Sequence, residues 1–116
     1  MKKIEAIIRK SKFDEVKEAL LKADIEWLSY YDVRGVGKTR QERIFRGIVY
    51  DTSSIERTMI VLVVRDINLE KTVNAILEHA KTGDIGDGRI FISDINDSIR
   101  IRTGERGDIS LYDKNK

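Results

Sequence analysis

Apolar and polar residues alternate through "KKIEAIIRK" at residues 2–10. Ile4, Ala6 and Ile8 fall on one face, and Glu5, Ile7 and Arg9 on the other. A period of two predicts a half-buried strand. The period then changes. Phe13, Val16, Leu20 and Ala23 recur at spacings of three and four with Ala19 beside them, which predicts an amphipathic helix. Ser11 is its candidate N-cap, and Asp14 and Glu15 suit the positive end of the helix dipole. "IEWLSYYDVRG" at 25–35, rich in aromatic and β-branched residues, predicts a second strand ending at Gly35. From Gly37 to about Ser54 no period is sustained, and a connection of that length in a small domain is usually functional or disordered. "RTMIVLVVR" at 57–65 predicts a third strand. Leu69, Val73, Ile76, Leu77 and Ala80 predict a second helix. "RIFISDI" at 89–95 begins a fourth strand, which either runs on or resumes through "SIRIRTG" at 98–104.

The order is β-α-β-β-α-β, the pattern of a ferredoxin-like α+β fold with two helices on one face of an antiparallel sheet. A long loop at about 37–54 joins strands two and three. One domain is expected over residues 1–106, followed by a polar tail at 107–116 that should be mobile. All eight glycines fall at or outside the ends of the predicted elements.

Composition narrows the classes. The 116 residues fit one domain with a real core, and no apolar run approaches a membrane span. The N-terminal apolar stretch breaks at Arg9, so a secretory signal is not expected. There is no cysteine, which excludes disulfides and thiolate metal sites and suits a cytoplasmic location. A net charge of +2 gives no general argument for nucleic acid or a membrane surface. His79 is the single histidine, so one chain holds no histidine-based metal cluster or triad. Trp27, Tyr30 and Tyr31 offer a stacking platform for RNA, but strand three lacks the aromatic pattern of RNA-binding sheets, so core or subunit-interface roles are expected for them.

Three segments carry candidate chemistry. In "TGDIGDGRIF" at 82–91, Gly83 can end the second helix in a left-handed conformation. Gly86 and Gly88, flanking Asp87, can bare backbone N–H groups to a ligand, and Arg89 adds a cation. A helix stop followed by a plain turn explains the same residues. "RGVGK" at 34–38 adds Gly35, Gly37 and Lys38 at a strand end, without the spacing of a Walker A loop. In "SIRIRTGE", Arg100 and Arg102 would point the same way from a strand, about 7 Å apart, and would repel unless an anion lay between them. A solvated sheet edge or pairing with acidic side chains is the plainer reading. Three such strand ends together favour a phosphate ligand.

These residues resemble the PII signal-transduction family. "TGDIGDGRIF" is similar to its TG-x-IGDG-[KR]-IF signature, "IRIRTGE" at 99–105 and "RG" within the long loop followed by Tyr50 are further matches, and "MKKIEAIIR" is similar to its opening strand. The likeness covers about residues 1–106. It implies a homotrimer that binds ATP or ADP in clefts between subunits. It also implies sensing of 2-oxoglutarate through Mg-ATP and a "T-loop" that grips ammonium channels or nitrogen-metabolism enzymes. One side of the cleft would carry Ile7, Gly35, Gly37, Lys38, Val63, Gly86, Asp87, Gly88 and Arg89, and the neighbouring subunit would supply Ser29, Arg100 and Arg102. Thr39 stands where the family has the glutamine that helps hold Mg²⁺ and 2-oxoglutarate, with Gln41 nearby and Arg57 in place of a lysine. Arg46, Gly47 and Tyr50 would face the partner, with Arg46 plugging the mouth of a channel and the loop mobile without it. The membrane is then reached only through a channel partner, and no nucleic acid is implied. Rival readings are a nucleotide-processing ferredoxin-like enzyme, for which the chain offers no Cys or His motif, and an RNA-binding module.

Overall fold

The computed structural model describes residues 1–36 and 55–113, and between them the strand pairing of 44–45 and 48–49. Strands β1 (Lys2–Arg9), β2 (Ser29–Gly35), β5 (Ile55–Val64) and β6 (Arg89–Asp94) form one sheet in the order β2-β5-β1-β6. Every pairing is antiparallel. Helices α1 (Phe13–Lys22) and α2 (Leu69–Ala80) provide the crossovers, which completes the ferredoxin-like α+β arrangement that the periodicity predicts. The long connection from β2 to β5 contains the two-residue strands β3 (Ile44–Phe45) and β4 (Ile48–Val49), paired with each other.

Alternation in β1 and β5 sets the core. Ile4, Ala6, Ile8, Ile60, Leu62 and Val64 point to the helical side and are buried against Val16 and Leu20 of α1 and Ile76 and Ala80 of α2. Leu77, which shares the helical period, is 53% exposed, and the buried row of α2 instead begins at Thr72, one turn before Ile76, with the Thr72 hydroxyl donating to the Asn68 carbonyl at 2.6 Å. Among the described residues no helix is long and apolar enough to cross a membrane.

Several boundaries differ from the sequence expectation. Ser11 does not cap α1. It lies in a 3₁₀ turn, Lys10–Lys12, whose Lys10 carbonyl accepts the Phe13 N–H, so the helix is entered through a turn rather than from a side-chain cap. Strand β2 begins at Ser29, because residues before it complete the end of α1. Asp24 adopts a left-handed φ of 62°, and the Ile25 N–H donates back to the Leu20 carbonyl at 3.1 Å, a Schellman closure with aspartate in the usual glycine place. Trp27, Tyr30 and Tyr31 are 78%, 58% and 50% exposed, so they are not core of this chain.

The fourth strand neither runs on nor resumes. The Gly104 N–H donates to the Arg100 carbonyl at 2.7 Å and the Arg100 N–H to the Glu105 carbonyl at 2.9 Å, which closes residues 100–105 into a turn. Arg100 and Arg102 therefore do not sit side by side on a strand. Nor are residues 107–113 a loose tail. Gly107–Leu111 is a 3₁₀ turn, Ser110 donates to the Ser98 hydroxyl at 2.8 Å, and the Asp113 N–H reaches Glu26 at 2.9 Å.

Truncating Ile60, which is fully buried on the central strand β5, to alanine leaves a cavity and is expected to cost about 2–5 kcal/mol. Urea unfolding of wild type and Ile60→Ala measures it.

Candidate functional site

The sheet face turned away from the helices has no covering element among the described residues. Register places Ser29, Val61, Glu5 and Phe91 in one row across it, Tyr31, Met59, Ile7 and Arg89 in the next, and Val33, Arg57 and Arg9 in a third. Gly35 lies beyond these, paired with Ile55, while Val63 pairs with Lys3 at the opposite end. Val63 lies eight residue steps along β5 from Ile55, about 26 Å. Val63 thus lies nearer to Ser29 than to Gly35 along this face.

The end near Arg9 is shaped by residues 82–89. The Asp87 carboxylate accepts the Thr82 N–H at 2.8 Å, the Gly83 N–H at 2.9 Å, the Thr82 hydroxyl, and Arg9 Nε at 2.9 Å. The Thr82 hydroxyl and then Arg9 hold its carboxyl well below the usual carboxylate range. Arg9 Nη2 also donates to the Ile85 carbonyl at 3.0 Å, and Arg57 Nη2 to the Gly86 carbonyl at 3.1 Å. Arg9 and Arg57 are direct cross-strand partners. Partial burial and then the charge of Arg9 lower the pKa of Arg57, against a smaller opposing effect of Asp87.

Glycine is required at two places in this loop. At Gly88, φ is +104° and a Cβ would lie 1.7 Å from the Ile7 carbonyl oxygen, so the chain crosses β1 at contact distance. At Gly86, φ is +97° and a Cβ would meet Arg57 Nη2 at 3.1 Å. Gly83 is left-handed as expected, but it does not end α2. The helix stops at Ala80, Lys81 is already extended, and Gly83 serves the turn around Asp87. Ile7, Asp87, Gly88 and Arg89 line a mostly apolar hollow of about 490 Å³ with Val73 and Leu77 of α2 and Ile90 and Ile92 of β6.

Arg100 lies at the other end of the sheet. It donates to Glu105 at 3.1 Å and to the carbonyls of Ile109 and Tyr112 at 3.2 and 2.6 Å. The Tyr112 ring stacks under Arg65, just past β5, and the neighbouring Asp113 N–H meets Glu26, just before β2. The guanidinium of Arg100 is thus engaged within its own chain. Arg102 is exposed, and neither it nor Arg89 makes a side-chain hydrogen bond or ion pair among the described residues.

The candidate residues therefore form two groups. Ile7, Gly35, Arg57, Gly86, Asp87, Gly88 and Arg89 occupy the middle and one end of the open face. Ser29 and Val63 lie toward the opposite end, and Arg100 is held just beyond it. Gly37, Lys38, Thr39, Gln41, Arg46, Gly47 and Tyr50 lie outside the described residues. Two residues escaped sequence reasoning, Arg9 and Thr82. Alternation had placed Arg9 on the face of Ile7, but its nearness to Asp87 depends on strand pairing across 78 residues. Among the described residues no three acidic or histidine side chains are grouped to hold a metal.

Comparison with known proteins agrees with this fold. The family model described as "Nitrogen regulatory protein P-II" matches residues 1–105. Nitrogen regulatory protein P-II 1 of Methanothermobacter thermautotrophicus is 44% identical over 108 residues, covering 92% of this chain and 94% of that protein. Nitrogen regulatory protein P-II of Cereibacter sphaeroides is 45% identical over 109 residues, covering 93% and 97%. The crystal structure of Arabidopsis thaliana PII bound to citrate superposes with a TM-score of 0.78 at 37% identity, covering 94% of this chain and 90% of that one. The chain belongs to the nitrogen regulatory protein P-II family.

Two expectations follow from the loop. Gly88→Ala forces a Cβ into the Ile7 carbonyl at a positive φ and is expected to cost about 3 kcal/mol or more. Gly83→Ala meets nothing within 4 Å and should cost about 1–2 kcal/mol from its φ alone. Denaturant unfolding of the two variants ranks them. The second concerns pH. A depressed folded-state pKa at Asp87 makes its contribution complete above the unfolded value of about 3.9, with loss as pH falls through the folded value. The stability difference between wild type and Asp87→Asn should be constant from about pH 8 to pH 5 and shrink below about pH 4, read by urea unfolding across a pH series.

Proposed function

We propose that this chain is a cytoplasmic signalling protein that binds ATP or ADP between subunits of a homotrimer and reports nucleotide state through residues 37–54 to an ammonium channel or a nitrogen-metabolism protein. The observation that carries the reading is the division of the candidate residues between two ends of one open sheet face. A nucleotide at the loop of residues 82–89 meets Ile7, the glycine backbone and Arg89 in one subunit. Arg100, tied to the C-terminal turn of its own chain, would reach it with Ser29 and Arg102 from a second copy, while Val63 would belong to the first. Exposed Tyr31 and Phe91, with Met59 and Val61 between, supply apolar surface for such an assembly. That the Arabidopsis relative is a citrate complex supports an anion-binding role for this architecture.

The relatives are named as regulators, and a regulatory rather than catalytic role is the reading adopted. Mg²⁺, with no acidic cluster to hold it among the described residues, would rest on the nucleotide phosphates. Binding of 2-oxoglutarate would draw on Thr39, Gln41 and Lys38 beside Arg57. Partner contact would use Arg46, Gly47 and Tyr50, with Gly37 and Lys38 joining loop and cleft.

Calorimetry is expected to show ATP and ADP competing for one site per subunit, and Gly86→Leu to abolish binding, because its side chain would displace Arg57 from a backbone that strains any L-residue. Normal ATP affinity in that variant would refute the site. For the partner, pull-down against the organism's ammonium channel with wild type and Arg46→Glu is decisive. Full binding by the variant, with ADP and with ATP alike, assigns the loop to another target.

A further inference from the structure

We propose that Arg9 is a positioning residue of the nucleotide loop, turning the backbone of residues 85–87 so that its N–H groups face the ligand. This rests on the reading of that loop as the phosphate-binding element. Arg9 holds the loop on both sides of Gly86, through the Ile85 carbonyl at 3.0 Å and the Asp87 carboxylate at 2.9 Å. Arg57 takes the carbonyl between them, that of Gly86, at 3.1 Å. Two successive carbonyls and one carboxylate, the negative groups of this segment, are thus all turned toward two guanidinium groups.

Peptide planarity supplies the consequence. No peptide bond is cis, so each N–H points opposite the carbonyl of its own peptide unit. With the Ile85 carbonyl fixed on Arg9 and the Gly86 carbonyl on Arg57, the N–H groups of Gly86 and Asp87 must point away from those guanidinium groups. Among the described residues the Gly86 N–H makes no hydrogen bond within the chain, and the Asp87 N–H is engaged only in the tight turn over residues 85–86. An unpaired N–H followed by one held only in a tight turn, beside a residue of positive φ, supplies the elements of an anion-binding concavity. Without the guanidinium groups, the carbonyls and the Asp87 carboxylate would be unscreened beside an incoming phosphate.

Arginine suits this place and lysine does not. The two acceptors lie in different directions, and a planar fork meets both at once, whereas an ammonium is a single point charge. Nε and Nη2 of Arg9 are committed to the loop. The side chain therefore acts on a ligand through the loop rather than by touching it.

The test is a cycle of Arg9→Gln, Asp87→Asn and the double variant, with ATP affinity measured by calorimetry and loop order read from the backbone amide signals of residues 85–88 in nucleotide-free protein. Each single change is expected to weaken ATP roughly tenfold or more at unchanged stoichiometry. The double variant should be little weaker than either single one, because both changes undo one clamp. Arg9→Lys should recover part of the affinity. Misfolding would lower the stoichiometry instead and leave the remaining sites at wild-type affinity. Unchanged affinity in Arg9→Gln overturns the proposal. So do losses that multiply in the double variant, since Arg9 would then act independently of Asp87. If wild type binds no nucleotide, the functional reading falls. The amide signals then decide the clamp separately, unaltered signals in Arg9→Gln refuting it and broadened or shifted ones sustaining it.

Discussion

The Asp87 carboxylate joins its own loop to a strand 78 residues away in sequence. It gathers the exit of α2 through Thr82 and Gly83, and β1 through Arg9. With those donors in place, the loop has room for only one path, over the Ile7 carbonyl, where Gly88 passes without a side chain. Strand β6 then starts in register with β1, Arg89 opposite Ile7. Position of the cation, shape of the glycine backbone and pairing of the edge strand all follow from that carboxylate and its donors. The negative charge also offsets the mutual repulsion of Arg9 and Arg57, which the sheet places side by side.

The open sheet face gives the molecule an unfinished character. Its helical side is closed by a core of aliphatic residues, while the other side keeps Tyr31 and Phe91 half exposed. The candidate ligand residues run the length of that second side instead of converging. A single subunit offers glycine backbone and Arg89 at one place and Arg100, tied to its own C-terminal turn, at another. On the proposed reading, association of copies would bring such separated groups to one ligand.

Much of this was legible in the sequence because local periodicity carries it. Ile4, Ala6 and Ile8 announce β1 by alternation, Val16 and Leu20 announce α1, and the glycines of residues 83–88 mark a special backbone. What was not legible depends on partners distant along the chain or on closures between neighbours. Arg100 and Arg102 look like a strand pair, yet Gly104 and Glu105 fold that segment back on Arg100. Ser11 looks like a cap, yet the Lys10 carbonyl does that work. The meeting of Arg9 with Asp87 has no local signal at all, since only the sheet register determines it.

The same distance has a kinetic side. Seventy-eight residues separate Arg9 from Asp87 and 29 separate Arg57 from Gly86. Contacts of that span form only after large loops have been closed. The glycine loop cannot reach its working shape while the chain is still assembling its helices and first hairpin. On the reading proposed above, it would become a binding surface only once β6 has docked beside β1. A fluctuation that peels β6 away would remove the surface again, so recognition there would be confined to fully folded molecules, and a ligand would in turn draw the population toward them.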